Sequence, residues 1–317
     1  MLTDRKKVRG VARMVAILAV LALCSGGVSA QEAAEKAPEE GPPLPLHTIE
    51  GVGGLVLTPT AYLVNPGPPG TKVGKPAFAA HFAMIGDRDF EAASMTWTFF
   101  ERLELGYAIN RLALDDLDRD VRRATRLNVG VNELYLHHLN ARLNVIRENE
   151  WDTNWVPAVT VGAHYKHNND IKDLNRDLRG ALEALGLNDN DGVDFTLTTS
   201  KTLTMLPRPV IASAGLRASK ASQLGFQGFT DDYAVTFEGN LVMLVTDRLA
   251  IGTEYRQKQA DMDRLGDLVR QEDSWWDVHA AYIINNNAEL YATVGNAGDV
   301  LNHSDETLYG VVFKYEF

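Results

Sequence analysis

Tyr309-Gly-Val-Val-Phe-Lys-Tyr-Glu-Phe317 alternates strictly. Tyr309, Val311, Phe313, Tyr315 and Phe317 are bulky and apolar or aromatic, with Gly310, Val312, Lys314 and Glu316 between them. Successive side chains of a β-strand point to opposite faces, so a period of two sorts these residues into two sets. One set makes a broad apolar face, and the other holds a lysine, a glutamate and a glycine. A helix would scatter the first set around its circumference. The segment reads as a strand with one greasy and one polar side.

The same pattern recurs upstream. Leu103, Leu105, Tyr107 and Ile109 oppose Glu104, Gly106, Ala108 and Asn110. Leu139, Ala141, Leu143 and Val145 oppose Asn140, Arg142 and Asn144. Tyr233, Val235, Phe237, Leu241 and Met243 oppose Thr236, Glu238 and Asn240. Leu249, Ile251, Thr253 and Tyr255 oppose Gly252, Glu254, Arg256 and Lys258. Facing lipid, each Arg or Lys near the midplane would cost about 2–4 kcal/mol, which turns the charged faces inward.

Segments of this kind predict strands over 77–85, 90–100, 102–111, 134–147, 156–167, 194–203, 208–219, 232–246, 248–259, 275–285, 287–297 and 307–317. Twelve is an even number, as single-chain bacterial barrels require. Ten residues at about 3.3 Å each, tilted some 40°, cover the roughly 25 Å apolar band of such a barrel. From residue 100 onward short links alternate with long polar ones (112–133, 168–193, 220–231, 260–274 and 298–306). The link at 147–156 is the one short-side connection of middling length. Short turns at one end and long loops at the other suit a transmembrane up-and-down barrel, whereas a soluble sandwich has no reason to alternate so. The expected fold is an all-β antiparallel barrel of about 12 strands with short helices in its outer loops.

The opening residues follow the order of a secretory signal. Arg5, Lys6, Lys7, Arg9 and Arg13 precede the apolar run 14–24, and Val28-Ser29-Ala30 offers a small-residue cleavage site. The run is well short of the roughly 20 residues a spanning helix needs. Cys24 follows Leu23, where an acylation motif wants a small residue. Cleavage after Ala30 removes the only cysteine, and with it disulfides and thiol chemistry. Of 31 Lys+Arg and 42 Asp+Glu, five basic residues and Asp4 fall within 1–30, which leaves a formal charge of about −15. That balance excludes nucleic acid, whose binding rests on clustered cations. The expected divisions are a signal peptide (1–30), a flexible linker (31–47), a Gly/Pro-rich segment (48–76) and the barrel (77–317).

Three features invite chemistry. Gly51-Val-Gly-Gly54 lacks the strand–helix unit of a dinucleotide site, so the segment that contains it reads as a lumen plug or a periplasmic rim. Asn188-Asp-Asn-Asp-Gly-Val-Asp194 resembles a calcium loop but lacks its closing glutamate and reads as an acidic turn. His138, His164 and His279 fall on polar faces near Ser200, Ser213 and Asp277, a set a hydrolase could use if a base lay within reach of a nucleophile. No catalytic residue, metal ligand or cofactor is assigned.

The inward residues are the better lead. Glu104, Asn140, Arg142, His164, Lys166, Arg217, Glu238, Glu254, Arg256, Lys258 and His279 are expected to line the lumen. A mixed-sign lumen suits a narrow passive channel for small polar or charged solutes, or a salt-bridged, closed interior. Ile171, Leu174, Leu178, Leu182 and Leu185 predict a helix over 170–186, and Met262, Leu265, Leu268 and Val269 a shorter one. Trp97, Trp151, Trp155, Trp275 and Trp276 stand near strand ends, where interfacial girdles lie.

The terminal aromatic strand resembles the closing strand of bacterial outer-membrane barrels. That resemblance implies an outer-membrane destination among lipid, with Tyr309–Phe317 read by the barrel-assembly machinery. Gly53-Gly-Leu-Val-Leu-Thr-Pro-Thr-Ala-Tyr62, Arg102-Leu-Glu-Leu-Gly-Tyr107, Gly192-Val-Asp-Phe-Thr-Leu197, Glu254-Tyr-Arg-Gln-Lys258 and Trp275-Trp276 resemble domain-of-unknown-function family 3034 over most of 48–317. Such a family implies a barrel and brings no substrate or catalytic residues. The phrase at 54–61 is also similar to barrels linked with exopolysaccharide export. A non-conducting accessory of envelope or exopolysaccharide assembly therefore stands beside the channel, with a barrel hydrolase third.

Overall fold

A computed structural model describes residues 47–114, 117–259, 273–298 and 306–317. The predicted signal peptide, most of the linker and the helix over 262–269 lie outside the described residues. Twelve strands close a barrel: β1 (Ala77–Ile85), β2 (Arg88–Phe99), β3 (Leu103–Ala113), β4 (Glu133–Ile146), β5 (Ala158–Asn168), β6 (Asp191–Leu203), β7 (Val210–Ala221), β8 (Phe229–Leu244), β9 (Leu249–Arg256), β10 (Trp275–Ile283), β11 (Ala288–Asn296) and β12 (Thr307–Glu316). Each pairs antiparallel with its chain neighbours, and β12 closes on β1 from Ala77↔Glu316 to Ile85↔Leu308. Closure leaves no sheet edge, so every wall strand is paired on both sides. No helix among the described residues is long and apolar enough to cross a membrane.

The period-two reading holds strand by strand. In β12, Leu308, Val312, Lys314 and Glu316 are buried inside while Tyr309 and Tyr315 are exposed outside. Phe317 packs edge-on against Phe78 of β1 and Tyr315, with centroids 5.6 and 5.1 Å apart. Leu105, Tyr107, Leu139, Leu143, Phe237, Leu241 and Ile251 extend the outward apolar surface around the wall. That surface has the chemistry of a lipid contact, since a water-soluble barrel would not leave so many large apolar groups uncovered.

The two rims differ. Links 100–102, 204–209, 245–248 and 284–287 are short and share the end that holds Ala77 and Glu316. The opposite end carries the long loops, although only Gly86 and Asp87 join β1 to β2 there. Its β3–β4 loop contains α1 (Leu117–Thr125), not foreseen in the sequence, and buries Leu117 and Val121 one turn apart. The single helix expected over 170–186 is two: α2 (Ile171–Asp177) and α3 (Ala181–Ala184). Arg179 and Gly180 break it with positive φ of 55° and 81°, a geometry a continuing helix forbids. Gly130 N–H donates to Asp177 Oδ2 at 2.7 Å, which ties the α1 loop to α2. The acidic-turn reading of 188–194 also needs correction, because β6 begins at Asp191 and aims Asp194 into the lumen.

Candidate functional site

Residues 47–64 run inside the barrel as a plug. All of them are buried except Tyr62, which is half-buried, and their backbone bonds reach wall side chains on many strands. Of the two placements the sequence left open, the lumen is the one adopted. The plug begins by His47, inside the stretch expected to be linker.

Glu50 is the centre of the assembly. Its carboxylate meets Lys166 Nζ at 2.6 Å and Arg217 and Arg256 guanidinium nitrogens at 3.1 Å each. Asp194 also accepts from Lys166 (2.7 Å) and Arg217 (3.0 Å), and Glu238 accepts from Arg217 (3.1 Å). The wall alone offers three cations, Lys166, Arg217 and Arg256, against two carboxylates, Asp194 and Glu238. Glu50 supplies the third and brings the cluster to neutrality. Burial by itself would raise the Glu50 carboxyl, but Arg217, Arg256 and Lys166 outweigh it and hold it well below the ordinary range.

Other wall groups serve the plug backbone. Glu104 pairs with Arg142 at 3.1 Å and accepts from Gly53 N–H (3.2 Å) and Val64 N–H (2.7 Å). Arg142 donates to Gly53 O at 2.7 Å and also to Thr60 O. Asn140 donates to Glu50 O at 2.6 Å. Glu254 accepts backbone N–H bonds from Val56, Leu57 and Thr58 at 2.7–3.0 Å, plus the Thr58 hydroxyl at 2.8 Å. Ser200 Oγ accepts from Ala61 N–H at 2.7 Å, and Thr160 Oγ1 donates to Ala61 O at 2.6 Å. Irregular backbone survives inside a membrane barrel only with such partners.

Two glycines make the seat. Gly51 has φ of +80°, and a Cβ at Gly106 on β3 would fall 2.1 Å from Gly51 O. The absent side chain at 106 is the space the Gly51 carbonyl fills.

All eleven residues expected on the lumen face inward and are buried. Most touch the plug or a partner across it. Lys258 lies over the Trp275 ring, 5.2 Å from its centroid, and His164 bonds Asn140 and Thr196 at 2.9 Å each. Trp275 is a correction: it shares the inner face of β10 with Asp277 and His279, and Trp276 alone of the pair is outside. The hydrolase residues are dispersed in their bonding. Ser200 and Ser213 bond each other at 2.7 Å, His138 bonds Asn110 at 3.1 Å, and His279 bonds Asp277 at 2.9 Å. Glu254, Asp277 and His279 bring ligand-type atoms within 4.8 Å of one another, a set chemically able to take a cation. Both Glu254 oxygens already serve the plug.

Glu50 and Asp194 were missed in the sequence. Asp194 was legible: it precedes Phe195 and Leu197 of an outward row by odd steps, which assigns it inward. Glu50 lies on no strand, and only its partners reveal it.

His47 sets the expected acid response. Its ring bonds Ser94 Oγ at 2.8 Å and Thr96 Oγ1, and its backbone N–H donates to Tyr291 Oη at 3.1 Å. Burial first, then Lys314, His81 and Arg142, push its pKa well below the ordinary histidine value. A lowered folded pKa means the released plug binds the proton more tightly, so seating weakens as pH falls below about 6.5. Glu50 contributes no loss until pH falls below the ordinary carboxyl range. Protease protection of the plug in reconstituted protein is therefore expected to fall between pH 7 and 5, and His47→Gln to flatten that profile.

The family described as "Protein of unknown function (DUF3034)" matches residues 45–311. No curated protein matches the sequence. Among solved structures, the KdgM porin aligns at 13% identity and TM-score 0.46, covering 76% of this chain and 99% of that one. Omp33, an outer membrane protein of Acinetobacter baumannii, aligns at 10% identity and TM-score 0.43, covering 78% and 99%. An outer membrane channel from Pseudomonas putida F1 aligns at 14% identity and TM-score 0.41, covering 79% and 99%. With its match running from the plug into the last strand, the chain belongs to the DUF3034 family of proteins of unknown function.

Proposed function

We propose that this protein is an outer-membrane channel for small polar or charged solutes, closed at rest by its own plug. The observation that carries the proposal is Glu50, which neutralises a wall cluster left with one excess positive charge when the plug leaves. A wall that is polar and of mixed sign behind the plug would line an aqueous path once it is vacated. The short-turn end faces the periplasm and the long-loop end faces outward, as in bacterial barrels generally. Export by residues 1–30 and recognition of the aromatic row of β12 by the assembly machinery complete the reading.

The completeness of the closure favours a second reading, a non-conducting accessory of envelope or exopolysaccharide assembly. Planar-bilayer recording separates the two. Wild-type protein is expected to be silent, and plug-releasing variants are expected to show discrete conductance steps. Folded variants whose plug is released yet which never conduct would overturn the channel and leave the accessory.

A further inference from the structure

The lumen changes character above the plug. Towards the long-loop rim, Ile49 and Leu57 of the plug, Phe90 of β2, Leu117 of α1, Leu174 of α2 and Phe226 border a cavity of about 200 Å³. Its lining is almost wholly apolar. A dry cavity of about 150 Å³ lined by Leu, Ile and Phe is enough to take benzene, so this volume suits one six-membered ring with a substituent, or an alkyl chain of similar size.

Trp275 Nε1, Asp277 Oδ2 and both ring nitrogens of His81 line it without a hydrogen-bond partner, and of the three only the imidazole offers a donor and an acceptor together. His81 on β1 is 2% exposed, and neither Nδ1 nor Nε2 has a hydrogen-bond partner. Its cross-strand neighbours are Ala92 and Val312, which offer nothing to bond. A neutral imidazole presents one donor and one acceptor, the complement of a single hydroxyl. A carboxylate head would need a cation to offset its desolvation, and His81 shows none among its partners.

We propose that this chamber binds a small hydrocarbon carrying one neutral hydroxyl, with the apolar body against the loop helices and the hydroxyl on His81. The site rests on the seated plug, whose Ile49 and Leu57 form its floor, and its ligand chemistry goes beyond the channel reading. Binding is read on the wild-type protein with its plug seated and conductance on plug-releasing variants, so either result can fail without the other.

The test is isothermal titration of the full chain in lipid nanodiscs with p-cresol and with toluene, corrected for empty nanodiscs. Saturable one-site binding of p-cresol is expected, about three- to tenfold tighter than toluene, the worth of one hydrogen bond. His81→Leu is expected to erase that preference while toluene still binds. Should His81→Leu fail to fold, Leu174→Trp on α2, outside the wall, is expected to fill the chamber and abolish binding of both. Equal affinity for the two probes in the wild type, a preference that survives His81→Leu, or binding that survives Leu174→Trp would each overturn the proposal.

Discussion

Glu50→Gln is expected to turn a silent barrel into a conducting one. Glutamine keeps the shape and some hydrogen bonding but removes the charge that Lys166, Arg217 and Arg256 share. Breaking a buried ion pair on one side typically costs about 3–5 kcal/mol, because the remaining charge stays buried and unmatched. Here the cost falls on the seated state alone, since a vacated lumen lets water reach the cations. The population with the plug out should therefore rise by about two to four orders of magnitude. The wall carries its own β-ladder and should keep its heat-modifiable mobility on gels. Single-channel recording checks the first effect and gel mobility the second. A folded, silent Glu50→Gln barrel with its plug still protected from protease would mean the cluster does not hold the plug.

Gly106→Val attacks the same seat from the wall. The Cβ alone would stand 2.1 Å from Gly51 O, a backbone atom that cannot rotate away. Moving Gly51 aside also pulls on Glu50, whose carbonyl accepts from Asn140 at 2.6 Å. Overpacking of this kind costs about 1–3 kcal/mol where the surroundings can relax, and here the neighbouring ion pairs restrict relaxation. Valine suits a strand well, so β3 itself should be unharmed. Conductance and protease sensitivity at 47–64 are expected to rise as in Glu50→Gln. Combining the two should add less than the sum, since either one empties the same seat.

The wall was legible because its code is local. Tyr309–Phe317 shows both faces in nine residues, and each of the twelve expected strands is present within a few residues of its reading. The inner face was legible for the same reason: charge at every second position cannot face lipid. What the wall charges meet was not legible. Glu50 and Arg256 are far apart in sequence, and nothing local marks Glu50 as the partner of three strands. Trp275 misled because tryptophan at a strand end usually marks an interface, yet here Arg256 and Lys258 sit 5.9 and 5.2 Å from its ring centroid inside the barrel. α1 escaped notice because Leu117 and Val121 are its only two large apolar residues, in a segment otherwise rich in Asp and Arg. The helix over 170–186 was visible in its leucines, but its break at Gly180 depended on a backbone geometry the apolar period does not report.

The central claim is that residues 47–64 occupy the lumen in the membrane. Ala61→Cys with Ser200→Cys, in a Cys24→Ser background, puts thiols on two residues in direct contact, the Ala61 backbone N–H donating to Ser200 Oγ at 2.7 Å. Oxidation in native outer membranes is expected to give near-complete disulfide formation and, with Glu50→Gln added, to return the barrel to silence. Thiols that stay free and modifiable under the same oxidation would contradict the account.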